Sequence, residues 1–400
     1  MTEHKGAAMK HYKYLIIGGG LTGDAATRGI RELDAEGSIG LIGMESAPPY
    51  MRPNLSKGLW KGRPIEKIWR KTEERGELNL GRKATQFDPQ KKTVQDDKGE
   101  EYTYDKLLLA TGGSPIHLPF GAGDIIYFRN FEDYQHLRVM ADAKEHFVVI
   151  GGGFIGSEIA AALTMVGKKA TMIFLEDAIS GLIFPGDLAH FLNEYYREKG
   201  VEVITNDSVA SVTKEGGRLI VRTGSGRAIE TDGVVAGIGI RPNIELAEAA
   251  GLKIENGIVV NERLETSLPD IYAAGDVVNF FHSGLGKRVR VEHEDNAVFM
   301  GKLAGQNMAG AGESYTRTPM FYSDLFELGY EAVGETSSKM EMVSDWQKKF
   351  QKGTVYYLEE GRVRGVVLWN IWKQVDNARA LMLEKGPFNA EDLMGRIKGE

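Results

Sequence analysis

The chain has no cysteine among its 400 residues. That excludes a disulfide relay, a thiolate nucleophile, iron–sulfur ligation and any cysteine-based zinc site. No unbroken apolar run is long enough to cross a bilayer as a helix, so no membrane span is expected. The 8 histidines include no His-x-x-x-His or His-Glu-x-x-His arrangement, and no metal site is expected. Positive charge is in deficit: 49 Lys and Arg against 56 Asp and Glu, net −7. A broad basic surface for nucleic acid is therefore not expected. The opening "MTEHKGAAMKHYK" lacks the apolar core of a secretory signal and the Arg-rich pattern of an organelle transit peptide. It reads as a short disordered lead, with Met9 as an alternative start and a cytoplasmic location as the expectation.

Glycine, in contrast, is abundant at 50 residues. One glycine-rich phrase occurs twice, as "IIGGGLTG" ending at Gly23 and "VIGGGFIG" ending at Gly156. A single Gly-x-Gly-x-x-Gly carries little information. Two copies, each closing an apolar strand and opening a small-residue helix, carry much more. In the first, Gly18 makes the tight turn, Gly20 admits a pyrophosphate and Gly23 permits close helix–strand packing. Glu45 follows Gly23 by about 20 residues, where a carboxylate meets ribose hydroxyls. Asp24 puts a negative charge beside the expected phosphates, and a helix-capping role is its simplest reading. In the second copy, Gly151, Gly153 and Gly156 repeat the roles and Glu176 takes the carboxylate position. A carboxylate there accepts from the adenosine 2′-hydroxyl and repels a 2′-phosphate, which predicts NADH over NADPH. The plain alternative for each loop is a glycine turn with no ligand.

"LLLATGGSP", with Thr111 and Gly112, and "TSLPDIYAAGD", ending at Asp276, are two more strand-to-turn stretches. They resemble the FAD-binding signatures of two-dinucleotide flavoprotein reductases, in which the Gly-Asp carboxylate holds a ribityl hydroxyl. "PPYMRPNLSKGLW", "VEHEDNAVFMGKLAGQNMAG", "MFYSDLFELGYEAVGE" and "GTVYYLEEGRVRGVVLWN" extend the match. Together they resemble the apoptosis-inducing factor family, close also to the ferredoxin- and rubredoxin-reductase group, over nearly the whole chain. The implied fold class is α/β. It has two Rossmann-like dinucleotide-binding domains: a discontinuous FAD domain at 1–127 and 238–311, and a nested NADH domain at 128–237. A C-terminal α+β domain of dimerisation or interface type follows at 312–400.

The resemblance also implies roles. Arg52, Lys57 and Arg129 would contact FAD, with Lys57 paired to Glu158 near the flavin. Glu292 and His293 would sit at the flavin and nicotinamide. Phe154 and Tyr322 would flank the nicotinamide, Tyr322 standing where the family has Trp. Gly239, Glu331 and Asn370 would help hold NAD. Plain alternatives are core packing for Phe154, a structural histidine for His293 and a scaffold ion pair for Lys57 and Glu158. The implied activity is FAD-dependent NADH:acceptor oxidoreduction, by hydride transfer from NADH to flavin N5. Electrons would leave to a ferredoxin- or rubredoxin-like carrier, a quinone or oxygen, without a cysteine relay. The alternative is a slow redox sensor that holds a long-lived complex of oxidised nicotinamide and reduced flavin and recruits a partner, a homodimer included. The family's long acidic insertion is missing, so its cell-death role and DNA binding are not carried over. "WQKKFQKG" reads as a solvated basic loop or, alternatively, as a docking patch for an acidic electron carrier.

Overall fold

The computed structural model describes residues 9–399. Residues 1–8 of the expected disordered lead lie outside the described residues. The rest of that stretch is not a lead. Strand Lys10–Ile17 starts within it, because Lys10 and His11 pair in parallel with Tyr102 and Thr103.

The chain forms two compact units. Among the described residues, the first comprises 9–52, 65–114 and 241–317; the second comprises 53–64, 115–240 and 318–399. These boundaries differ from the expected ones in three places. The passage into the nested unit falls before residue 115, not after 127, because Ile125–Tyr127 pairs in parallel with Gly233–Ala236 of the second unit's sheet. The segment 53–64 belongs to the second unit. The C-terminal region clusters with the nested region rather than standing apart.

In the first unit, Lys10–Ile17 is flanked in parallel by Ile39–Gly43 and Glu101–Leu109, and Ile271–Ala273 joins Glu101–Leu109. These strands are short apolar runs, not alternating ones, because helices and loops cover both faces. Leu15, Ile16, Leu41, Leu107, Leu108 and Ile271 are accordingly buried in one core. Helix Leu21–Leu33 lies against helix Glu294–Met308.

The second unit repeats the scheme. Its parallel sheet runs Glu202–Ile204, Lys169–Ile173, His146–Ile150, Gly233–Ala236, Ile125–Tyr127. Helix Phe154–Met165 follows the second glycine loop. The C-terminal part is a five-stranded antiparallel sheet in the order Met320–Leu325, Leu328–Gly334, Arg362–Trp369, Lys352–Glu359, Glu341–Lys348. Helices Val375–Leu383 and Ala390–Leu393 complete it, giving the expected α+β character.

Candidate functional site: two dinucleotide cradles

The two glycine loops have matching geometry. A Cβ on Gly23 would stand 2.1 Å from the Gly18 oxygen, and one on Gly156 would stand 1.9 Å from the Gly151 oxygen. Only glycine lets helix and strand come this close. Each helix is capped by a glycine, Gly20 or Gly153, with no side-chain cap hydrogen bond, and a Cβ at either position would meet nothing within 4 Å. The first-turn N–H groups thus face open space with the positive end of the helix dipole behind them, which is an anion cradle.

In the first unit, Glu45 receives the Tyr50 hydroxyl at 2.6 Å and the Arg52 guanidinium at 2.7 Å, one on each oxygen. Each oxygen keeps a second lone pair for a ribose hydroxyl. Thr111 and Gly112 are braced by Asn243. The Thr111 hydroxyl donates to the Asn243 carbonyl, the Asn243 amide donates to Thr111 O, and Asn243 N–H donates to Gly112 O. Asn243 lies far away in sequence, in "GIRPN", and nothing local marks it as a brace. Asp276 is half-buried at the end of its strand, and its main-chain oxygen accepts from Arg290. Glu292 pairs with the same Arg290 guanidinium. His293 caps helix Glu294–Met308, and burial pushes its imidazole down to about 4, although Asp276 and Asp295 pull the other way. At neutral pH it is an uncharged ring with one donor and one acceptor nitrogen.

Asp24 does not cap its helix. Its fully buried carboxylate meets Arg28 at 3.0 Å, Arg70 at 3.0 Å, Arg75 at 2.7 Å and the Thr72 hydroxyl at 2.7 Å. The charge next to the cradle is therefore neutralised, which removes the conflict with a phosphate.

In the second unit, Glu176 is half-buried at the turn after Lys169–Ile173. Its main-chain oxygen accepts from Asn206, and its carboxylate takes no hydrogen bond or ion pair among the described residues. Glu331 sits opposite Tyr322 across the hairpin Met320–Leu325/Leu328–Gly334. One of its carboxylate oxygens is buried with no partner, and burial raises its pKa against a main-chain donor at Lys373. Such an orphaned acceptor costs stability unless a ligand satisfies it. Phe154, the first residue of its helix, meets Phe321 edge-on at 5.3 Å. Gly239, at φ +99, accepts the Ile116 N–H.

The expected Lys57–Glu158 pair is present at 2.7 Å, and the carboxylate is buried. Two partners were not legible in the sequence: Ser56 donates to one oxygen at 2.5 Å and Ser323 to the other at 2.6 Å. Three donors on one buried carboxylate hold it in place and fix the Lys57 ammonium, which lies 5.2 Å from the Tyr322 ring centre. Of the residues expected at FAD, Lys57 and Arg129 fall in the second unit and the others in the first. The Asn370 side chain is spent at both ends, accepting from Gly329 N–H at 2.7 Å and donating to Gln351 O at 2.8 Å.

These residues fit a dinucleotide in each cradle. The helix N-termini offer uncapped N–H groups, Glu45 and Glu176 stand just past the strands that follow them, and Glu331 has a buried acceptor without a partner. A chain with two such cradles is a two-dinucleotide oxidoreductase. Comparison with known proteins makes this specific: the chain belongs to the pyridine nucleotide-disulphide oxidoreductase family, whose model matches residues 12–301. The C-terminal domain of mitochondrion-associated apoptosis-inducing factor matches 304–349 and 335–384.

Apoptosis-inducing factor 1 of Dictyostelium discoideum is 35% identical over 94% of this chain and 79% of its own length. The putative apoptosis-inducing factor 1 of Drosophila melanogaster is 30% identical over 93% of this chain, which spans 63% of that relative's length. A 5,5'-dehydrodivanillate O-demethylase ferredoxin reductase subunit from Sphingobium is 33% identical over 94% of each chain. Among solved structures, the reductase of a covalent putidaredoxin reductase–putidaredoxin complex superposes with a TM-score of 0.88. It is 29% identical, over 95% of this chain and 94% of that one. The chain is thus an apoptosis-inducing-factor-like and ferredoxin-reductase-like flavin oxidoreductase that uses FAD and NAD(H). No helix among the described residues is long and apolar enough to cross a membrane.

Proposed function

We propose that the chain oxidises NADH and passes the electrons singly to a small one-electron carrier protein of ferredoxin or rubredoxin type. The observation that carries the reading is the pair of matching cradles, the second of which keeps the Glu176 carboxylate unspent. Bound FAD supplies a two-electron acceptor able to release electrons one at a time. The chain's own residues bind and orient. Helix N-termini behind Gly20 and Gly153 face the pyrophosphates. Glu45 and Glu176 accept from ribose hydroxyls, and Asp276 accepts from a ribityl hydroxyl. Arg52, Arg129 and Glu292 complete the FAD contacts. Phe154 and Tyr322 flank the nicotinamide, and Gly239 and Glu331 help hold NAD, while the Asn370 side chain is engaged by Gly329 and Gln351. Lys57, fixed by Glu158, balances negative charge on the reduced cofactor, and the uncharged His293 of the first unit supplies a hydrogen-bond donor to FAD. No cysteine is available for a disulfide on the path. The names of the ferredoxin reductase subunit and the putidaredoxin complex support the carrier class.

Steady-state assays with NADH and a [2Fe–2S] ferredoxin, a rubredoxin or oxygen test this. A carrier should turn over at least tenfold faster than oxygen. NADH should outperform NADPH, and Glu176→Ala should erase the difference. If oxygen and dyes are the sole acceptors, the carrier reading fails. A second reading, a slow redox sensor, draws support from the match to the apoptosis-inducing factor C-terminal domain. It requires the NADH-reduced protein to persist for many minutes in air.

A further inference from the structure

The turn that carries Glu176 is held by a side chain from the next helix. Strand Lys169–Ile173 ends, the chain turns at residues 174–180, and helix Gly186–Glu198 begins soon after. The Glu176 carboxylate takes no hydrogen bond or ion pair among the described residues. No polar contact of its own fixes it, so its place is inherited from the main chain of the turn.

That main chain is tied at several points. Asn206 N–H donates to Glu176 O, and Asp207 N–H donates to Phe174 O. Ser180 N–H donates to Gly152 O, which joins the turn to the second glycine loop itself. These bonds run between main-chain atoms and require no particular side chain. One tie does. The Asn193 side-chain amide donates to Asp177 O at 2.9 Å, and its carbonyl accepts from Ile179 N–H at 2.9 Å. The two bonds bracket residue 178, just past Glu176.

Asn193 lies in the middle of its helix, where asparagine is a poor helix former, on the inward face with Leu188, Ala189, Leu192 and Tyr196. A buried amide costs stability unless it is hydrogen-bonded. Here both ends are bonded, and both to the same turn. Such a grip needs a donor and an acceptor on one short arm, which asparagine has. The outer side of the turn is open: Asp177, His190, Asn193 and Asn206 are among the residues lining a pocket of about 540 Å³. Packing therefore does not back the turn on that side. His190, from the same helix, reaches the exposed Asp177 carboxylate at 3.4 Å and leaves the main chain to Asn193. Without the amide, water entering from the pocket would take over both bonds and release the turn.

We propose that Asn193 is a positioning residue for the nucleotide. By fixing the main chain at 177 and 179 it places the Glu176 carboxylate at the adenosine ribose, and so sets the preference for NADH over NADPH without touching either. The inference rests on the NADH reading of Glu176 and adds the residue that makes Glu176 effective. A hydroxyl-to-carboxylate hydrogen bond needs about 2.5–2.7 Å between the oxygens. Repulsion of a 2′-phosphate also weakens with distance. A carboxylate displaced by about 1 Å loses much of both effects.

The test uses FAD-loaded protein with p-benzoquinone as acceptor, and measures kcat and KM for NADH and NADPH separately. Asn193→Leu is close in size and lacks both bonds. It should raise the KM for NADH about tenfold, with the change falling on KM rather than kcat, and lower the NADH-to-NADPH ratio of kcat/KM about tenfold. Asn193→Gln keeps both groups on a longer arm and should restore part of the ratio. In a Glu176→Ala background, Asn193→Leu should change the ratio less than twofold, because a residue acting through Glu176 has nothing left to position. If Asn193→Leu raises KM equally for both nucleotides and leaves the ratio unchanged, Asn193 is a structural residue and the inference is overturned. An undiminished effect of Asn193→Leu in the Glu176→Ala background overturns it as well. Wild type that uses NADH and NADPH equally well overturns the reading of Glu176 itself, and the inference with it. Should Asn193→Leu fail to fold, Asn193→Asp, which keeps the acceptor for Ile179 and loses the donor for Asp177, must lower the ratio at least threefold.

Discussion

Single residues in the two cradles are set up at the expense of stability. Burial makes the charged form of Glu331 less favourable in the fold and raises its pKa above the ordinary carboxylate value. An acid with a raised folded pKa costs stability above that pKa. Glu331→Gln is therefore expected to raise the melting temperature of nucleotide-free protein. It should also weaken NAD⁺ binding about tenfold or more, since a hydrogen bond to a charged group contributes ~1.5–3 kcal/mol. Calorimetric melting and titration with NAD⁺ check both halves; a lower melting temperature with unchanged affinity makes Glu331 a structural residue. His293 behaves in the opposite pH direction. Its imidazole is pushed down to about 4 by burial, against an ordinary value near 6.5. Between those values the unfolded chain binds more protons, so stability falls as pH drops through the window. Urea midpoints at pH 7, 5.5 and 4.5 should decline, and His293→Gln should flatten the decline. Equal slopes in both proteins assign the acid limb to other groups.

At the level of elements, the first glycine-loop helix is fixed from two sides. Along one side it meets helix Glu294–Met308, where a Cβ on Gly305 would stand 2.1 Å from the Ala26 oxygen. Backbone cannot yield by that much without moving the helix, and overpacking of this kind costs roughly 1–3 kcal/mol. Gly305→Ala should lower the urea midpoint and weaken FAD retention, because the helix it displaces carries the cradle. Along another side, Asp24 binds three arginines. Asp24→Ala removes the carboxylate shared by three arginines, of which Arg70 and Arg75 are largely buried, and should cost roughly 3–5 kcal/mol, read from the same urea transitions.

These two elements also show what the sequence displays and what it hides. Strand, glycine loop and helix Leu21–Leu33 follow from local apolar runs and from glycine spacing, so they are readable in one pass. The Asp24 partners are not. Arg70 and Arg75 reach it from a distant loop, and no local pattern announces a tertiary ion pair. Ser56 and Ser323 on Glu158, and Asn243 under Thr111, escape for the same reason. The stretch "WQKKFQKG" closes a hairpin between strands Glu341–Lys348 and Lys352–Glu359 where three lysines and a phenylalanine suggest solvated coil; Phe191 and Trp346 supply the packing that no local pattern announces.

The whole molecule is two compact units, each with its own parallel sheet and its own cradle, and the chain passes between them repeatedly. The first cradle is assembled from three separate stretches, at Gly18–Gly23, Thr111–Gly112 and Gly275–Asp276, all within the first unit. The second is built from Gly151–Gly156, Glu176 and Gly239, all within the second. A ligand that binds the folded state alone stabilises it by an amount set by its concentration over its Kd, about 2.7 kcal/mol at a hundredfold excess. That stabilisation should appear where the ligand is bound. Acid precipitation should release all flavin, since the first cradle would hold it through helix N–H groups and side-chain hydrogen bonds alone. Restoring FAD to the apoprotein should slow hydrogen exchange at amides 19–24, 111–113 and 275–277. Adding NAD⁺ to the FAD-loaded protein should then slow exchange at amides 152–157 and 175–178, and leave amides 19–24 at their FAD-loaded level. The argument depends on the uncapped first turns behind Gly20 and Gly153, whose N–H groups are the ones a pyrophosphate would occupy. If NAD⁺ instead protects the first loop, or FAD protects the second, the assignment of one nucleotide to each cradle is reversed. If neither protects a first turn, the glycine loops are packing devices and the proposed function loses its foundation.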